Sequence, residues 1–247
     1  MTSVTRIYQA IPLAKGTWVR LNEQASHHVG RVLRAKVGDN IILFNGEGGE
    51  YAGVISHIDR KSVDVELIDF APKEAESPVN IYLAQGIARG EKMDFIVQKS
   101  VELGIKKIIP LVTERCNVRL DAAREAKRLA HWQSVVISAC EQCGRNRLPD
   151  IMAPVSFDAW LPEAKADQCF VLSPHVSSRL SIATLSTPAS IILLIGPEGG
   201  LSDREVERAE QYGFTSLNLG PRILRTETAG VAAITVLQCL YGDMINK

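Results

Sequence analysis

The rhythm of apolar and polar positions changes once along the chain. Val63, Val65 and Leu67 alternate with Asp64 and Glu66, the period-two pattern of a strand with one buried face, and Asn40–Asn45 and Tyr51–Ile58 read as two more strands. Gly46, Gly48 and Gly49 supply the turn between those two. Ahead of them Asn22 is placed to cap a short helix. Its Ala25, Val29, Val32 and Leu33 would face inward, with His27, Arg31 and Arg34 at i, i+4 and i+7 on the outer side. Phe70–Pro78, FAPKEAESP, has two prolines and little apolar content, which marks a boundary. The expected organisation is a small β-rich domain over residues 1–72 and a second domain over residues 73–247.

From Val79 onward strands alternate with helices. Asn80–Ala84, Lys107–Val112, Asp150–Ala153, Cys169–Leu172, Ser190–Ile195 and Ser216–Leu219 read as strands, and Asp121–Cys143 and Asp203–Tyr212 as the best-marked helices. Ser202 and Glu205 form a capping box at the start of the latter, and Gly213 suits its end. This pattern predicts an α/β domain with a mostly parallel sheet.

Composition narrows the class without naming it. With 247 residues, 46% of them hydrophobic and 23% charged, the chain has ordinary globular composition; disorder and collagen are excluded. The longest nearly unbroken apolar stretch, Ala229–Leu240, falls short of the roughly 18–20 residues that span a bilayer. The N-terminal MTSVTRIYQAIPLAKG lacks an apolar core behind a basic head, so a cytoplasmic location is expected. The formal net charge of zero hides an uneven distribution. Residues 89–147 hold twelve basic and seven acidic side chains, and residues 148–247 hold seven basic and eleven acidic. Local binding of a polyanion is compatible with the neutral total, although solvated helix faces give the same pattern. Cys140 and Cys143 form a CxxC with no second pair to complete a zinc site, and they lie near a helix C-terminus whose dipole opposes a thiolate. Helix-face cysteines, without metal or redox chemistry, are the better reading.

In open parallel sheets ligands bind beyond the carboxyl ends of the strands, so the loops there carry most interest. In one, the apolar Ile191–Ile195 runs into Gly196-Pro197-Glu198-Gly199-Gly200. Glycines let backbone amides approach a ligand, and the proline stiffens the loop. In the other, Leu219-Gly220-Pro221-Arg222-Ile223-Leu224-Arg225-Thr226-Glu227-Thr228-Ala229 passes through a Gly-Pro turn into a helix start, where free amides and a positive field are available. Neither a dinucleotide-binding G-x-G-x-x-G nor a phosphate-cradling G-x-x-x-x-G-K-[ST] is present, and there is no nucleophile elbow or zinc helix. What remains is a ligand held by backbone and apolar contacts.

Five ordered blocks carry a resemblance over nearly the whole chain: HHVGRVLR (27–34) with VGD (37–39), RGEKMDFIVQKSVELG (89–104), ACEQCGRNRLP (139–149), LIGPEGGLS (194–202) and LGPRILRTETA (219–229). The sequence resembles the RsmE family, ribosomal RNA small subunit methyltransferase E, of the SPOUT superfamily. The resemblance implies a homodimer of two-domain subunits. Each has an N-terminal PUA-like barrel for RNA and a C-terminal α/β domain with a trefoil knot that binds S-adenosylmethionine. It implies methylation of N3 of one uridine near the 3′ end of 16S rRNA, presented on the small subunit. Carried onto this chain, the cofactor-binding residues would be Leu172, Ser173, Pro174, Ile195, Gly196, Pro197, Glu198, Gly199, Gly200, Leu219, Gly220, Ile223, Leu224, Arg225, Thr226, Thr228 and Ala229.

Uridine N3 carries a proton at neutral pH, so its attack on a methyl group needs a base or stabilised negative charge on O2 and O4. Arg225 suits the second role. Glu227, or else Glu198, suits the first, though both also suit bonding to loop and helix amides. Transfer from a sulfonium needs no metal, because the leaving group is already activated. Arg6, Arg31, Arg34, Lys36, Arg89, Arg145 and Arg147 are the expected RNA contacts, with Arg6 placed to reach the active site across the dimer. An enzyme acting on another RNA, or an assembly factor with a degenerate cofactor site, would share part of this pattern.

Overall fold

The computed structural model describes residues 4–116, 122–174 and 188–245. The chain forms two compact units, Met1–Glu76 with Cys140–Leu148, and Ser77–Ala139 with Pro149–Lys247. The sequence reading places residues 140–148 in the second domain; in the structure they pack with the first.

The first unit contains β1 (Thr5–Tyr8), β2 (Trp18–Arg20), α1 (Glu23–His27), β3 (Asn40–Phe44), β4 (Glu50–Ile58) and β5 (Val63–Ala71). Its sheet runs β1-β3-β4-β5-β2, parallel only between β1 and β3. Alternation in β5 behaves as the pattern predicts: Val63, Val65 and Leu67 are buried with Ile7, Val19, Ile41, Leu43 and Ile55. Asn22 caps α1 by accepting the Ala25 amide at 2.8 Å. Beyond α1, residues His28–Val32 continue as a π-helical turn, with the Leu33 amide donating to the His28 carbonyl. The wider turn leaves Ala25 and Val29 inside but carries Val32 and Leu33 outward to 59% and 45% exposure, against the 3.6-residue expectation. His27, Arg31, Arg34 and Lys36 are all exposed, as the outer stripe requires.

A polar network inside this unit engages two of the expected RNA contacts, Arg6 and Arg145. The Arg6 guanidinium pairs with the Glu50 carboxylate and donates to the Asn146 side chain. Arg145 makes two bonds to Glu76, at 2.9 and 2.6 Å, and is 2% exposed. Asn146 donates to the Lys73 carbonyl at 2.7 Å, and the Tyr8 amide donates to Glu141 at 2.9 Å. Arg6 and Arg145 therefore pair with the buried Glu50 and the partly buried Glu76, contacts that fasten residues 140–148 to the unit. Arg147 is half-exposed, 3.4 Å from Glu74. The Cys140 thiol is buried and pushed up to about 12 chiefly by burial, so it stays protonated, in keeping with a packing role.

The second unit carries β6 (Asn80–Gly86), α2 (Glu91–Glu102), β7 (Lys107–Val112), α3 (Ala122–Cys143, whose last turn belongs to the first unit), β8 (Asp150–Ile151), β9 (Val155–Ser156), α4 (Phe157–Trp160), β10 (Gln168–Leu172), β11 (Ser190–Ile195), α5 (Asp203–Gln211), β12 (Thr215–Leu217) and α6 (Thr226–Tyr241). The seven strands run β12-β10-β11-β6-β7-β8, with β9 also on β7, and every pairing is parallel. Helices cover such a sheet, so the central strands are apolar along their length, as in the buried run Ile191–Ile195. Both bonds of the Ser202–Glu205 capping box form. No helix among the described residues is long and apolar enough to cross a membrane.

Candidate active site

At the carboxyl edge of the second sheet Leu172 lies beside Leu217, and Ile195 beside Gln85. The loops that leave this edge enclose a cavity of about 370 Å³, within the range of small-molecule sites. Of the seventeen expected cofactor-binding residues, all but Gly220 and Thr228 line it. Leu172, Ile195, Leu217, Leu219, Ile223 and Leu224 give it an apolar wall, while Glu198, Asp203 and Glu227 bring carboxylates and Lys92, Arg115, Arg222 and Arg225 bring cations.

Close backbone approach shapes the 196–200 loop. A Cβ on Gly196 would lie 2.6 Å from the Leu201 nitrogen, and one on Gly86 would lie 2.5 Å from both Cδ and N of Pro197. Only residues without a side chain allow the loop to fold back on itself and lie against the end of β6. Arg115 ties the far side of the loop by donating to the Gly199 and Leu201 carbonyls, both at 3.2 Å.

The two candidate bases are now distinguishable. Glu198 accepts the Arg89 amide at 3.0 Å and faces the Lys92 ammonium at 3.5 Å. Burial alone would push its carboxyl up, but the Arg89 amide, its own amide and Lys92 outweigh that and leave it below the ordinary carboxylate range. It is an ionised anchor whose Oε1 is held by an amide and an ammonium, and its lowered affinity for a proton makes it a poor proton acceptor. Glu227, in the first turn of α6, has a buried Oε2 with no hydrogen-bond partner among the described residues. Glu227 also lines the cavity, so its carboxyl group lies at the edge of the ligand-sized space without the anchoring bonds that hold Glu198. Arg225, at the N-cap of the same helix, is exposed beside it.

Gln85, Lys92 and Arg115 escaped the sequence reading. The signal for Gln85 was present, since an amide follows the apolar run Ile81–Ala84 of the strand NIYLAQG. Lys92 and Arg115 gave none, because their places depend on bonds to loops distant in sequence. Arg89 is exposed next to the Glu198 contact. Among the described residues no group of three or more His, Cys, Asp and Glu side chains is placed to hold a metal ion.

Comparison with known proteins gives this architecture a class. Residues 75–238 match the family described as RNA methyltransferase domain, and residues 21–68 match the RNA methyltransferase PUA domain. An α/β methyltransferase domain joined to a PUA-like domain is thus what the fold represents. The Buchnera aphidicola (subsp. Schizaphis graminum) ribosomal RNA small subunit methyltransferase E is 39% identical over 243 residues, covering 98% of each chain. A Neisseria gonorrhoeae ribosomal RNA small subunit methyltransferase E, crystallised bound to S-adenosyl methionine, is 38% identical and matches 98% of this chain and 100% of its own, with a TM-score of 0.90. A Legionella pneumophila methyltransferase in complex with its bound cofactor SAM gives 41% identity and a TM-score of 0.93 over the same shares. The chain belongs to the ribosomal RNA small subunit methyltransferase E family.

Proposed function

We propose that the protein methylates N3 of one uridine near the 3′ end of 16S rRNA within the small ribosomal subunit, as a cytoplasmic homodimer using S-adenosylmethionine. The observation that carries this reading is the cavity itself: three loops from one sheet edge enclose a space with an apolar wall, lined also by Arg225 and Glu227 from the start of α6. The residues suit the cofactor's parts. The leucine and isoleucine wall suits an adenine, and carboxylates suit a ligand bearing an amino group and a positive sulfur. When bound, S-adenosylmethionine supplies a methyl group already activated on a sulfonium.

The chain's own residues do the rest. Glu227 accepts the N3 proton of the uracil ring, directly or through water, while Arg225 stabilises the negative charge that develops on O2 and O4. Glu198 holds the cofactor loop to the segment before α2. Exposed Phe95 on α2 and Val236 on α6, two helices that pack together, support a second copy on that face. The exposed Arg31, Arg34 and Lys36, with Arg89 and Arg147, are the proposed contacts to RNA phosphates.

Labelled S-adenosylmethionine offered with unmethylated small subunits, deproteinised 16S rRNA or tRNA, followed by nucleoside mass analysis, tests the reading. 3-Methyluridine from subunits supports it; another methylated nucleoside, or tRNA as the acceptor, redirects the enzyme, and absent cofactor binding favours an assembly factor. In the same assay Glu227→Gln is expected to lower kcat by about 100-fold or more with unchanged cofactor affinity. Near-normal turnover would restrict Glu227 to the helix start. Arg31→Glu combined with Arg34→Glu is expected to weaken RNA binding and flatten its log-log salt slope by about one for each phosphate that is no longer neutralised. An intact slope would move the RNA path off this stripe.

A further inference from the structure

Strand β6 ends on a side chain that its surroundings do not explain as packing. Gln85 is completely buried. Its Nε2 lies 2.9 Å from the Gly86 carbonyl, 3.2 Å from the Gly196 carbonyl and 3.0 Å from the Thr226 hydroxyl. Two of those partners are carbonyl oxygens that only accept, so the amide nitrogen must face them. Thr226 closes the triangle by donating its hydroxyl to the Gly196 carbonyl at 2.6 Å. The other end of the amide, Oε1, is buried with no hydrogen-bond partner among the described residues. An apolar side chain of the same length would fill the space without stranding an oxygen. Retention of the amide therefore points to what its nitrogen holds together.

What it holds is the active site's internal geometry. Gly196 opens the loop that lines the cavity, and Thr226 is the first residue of α6, between Arg225 and Glu227. The Gly196 carbonyl receives one bond from each partner, so the loop and the helix start share a single anchor. Resting on the function proposed above, we infer that Gln85 is a positioning residue for methyl transfer. Together with Thr226 it locks the cofactor loop to the first turn of α6 and fixes Arg225 and Glu227 against the bound methyl donor. It touches no reactant. Its effect is on alignment, where a displacement of about 1 Å costs on the order of 100-fold in rate.

Gln85→Met keeps the length and removes the donor, and Thr226→Val removes the same bridge from the other side. Each is expected to lower kcat by roughly 10- to 100-fold while the KM for small subunits stays close to wild type and the melting temperature falls by only about 5 °C, the effect of a buried carbonyl losing one donor. The double variant should be no slower than the slower single one, because both break one unit. Thr226→Ser, which keeps the hydroxyl, should restore turnover. Single variants with kcat within about twofold of wild type, or losses that multiply in the double variant, overturn the inference. If Gln85→Met fails to fold, the Thr226 pair decides alone. Hydrogen exchange gives a readout free of any RNA substrate: amides 229–232, the first that bond within α6, should exchange faster in the variants by more than any drop in global stability accounts for. Wild-type protein inactive on every RNA would sink the proposed function, whereas unchanged exchange in those amides would sink the role of Gln85.

Discussion

Gly86→Ala and Gly196→Ala each lower the affinity for S-adenosylmethionine by on the order of 100-fold while leaving the protein folded. The two substitutions disturb the same loop at two places, its contact with the end of β6 and its fold-back on itself. A methyl on Gly86 would meet the Pro197 ring and nitrogen at 2.5 Å, and one on Gly196 would meet the Leu201 nitrogen at 2.6 Å and the Gly200 carbonyl carbon at 2.7 Å. Neither neighbour is the free end of a side chain that could swing aside. In Gly86→Ala the loop must lift from the strand, in Gly196→Ala its fold-back must open, and either way the backbone that lines the cavity moves. Calorimetric titration with the cofactor, set beside the melting temperature of each variant, checks this. Wild-type affinity in both would show that the loop shifts without changing the site.

Breaking the pair between Arg6 and Glu50 produces the largest expected loss of stability. Arg6→Ala leaves a carboxylate that is 11% exposed without its strongest partner, a situation that costs about 3–5 kcal/mol. Against a total of about 5–15 kcal/mol that is a large share. The sign of the pH dependence follows from Glu50. Burial pushes its carboxyl up, but the Arg6 guanidinium and the Lys73 ammonium outweigh it and hold it below its ordinary value. Stability from this pair is therefore complete above the unfolded value of about 4.3 and is lost as pH falls through the lower folded value. Arg6→Ala should be far less stable than wild type at neutral pH, and the gap should narrow in acid. Denaturant titrations at both ends of that range measure it. Unaltered stability with weakened RNA binding would return Arg6 to the RNA-contacting role that its sequence position suggests.

Local pattern made much of this molecule legible. Ser190–Ile195 emerges as the strand that its apolar run indicates, and Ser202 caps α5 through both bonds of its box. These depend on neighbours in sequence. The cofactor loops were legible because parallel sheets place ligands at strand ends and because the family resemblance covered them. The failures have two causes, one local and one long-range. Val32 and Leu33 turn outward because a π-helical turn adds a residue to the helical repeat, and no composition signal marks it. Arg6 and Arg145 read as free cations because their carboxylate partners, Glu50 and Glu76, lie 44 and 69 residues away. Gln85 acts across 111 and 141 residues, beyond any periodicity.

The return of residues 140–148 to the N-terminal unit bears on how the protein is made. When Glu76 has been synthesised, all five strands of that unit's sheet exist, but Glu50 lacks Asn146 and Glu76 lacks Arg145. At roughly 5–20 residues per second those partners follow some seconds later, after β6, β7 and most of α3 have been added. Order of synthesis and order of completion are thus reversed. The nascent N-terminal unit waits on its neighbour's longest helix, and a fragment cut at residue 76 would keep the strands and the pair between Arg6 and Glu50 but leave Glu76 without Arg145.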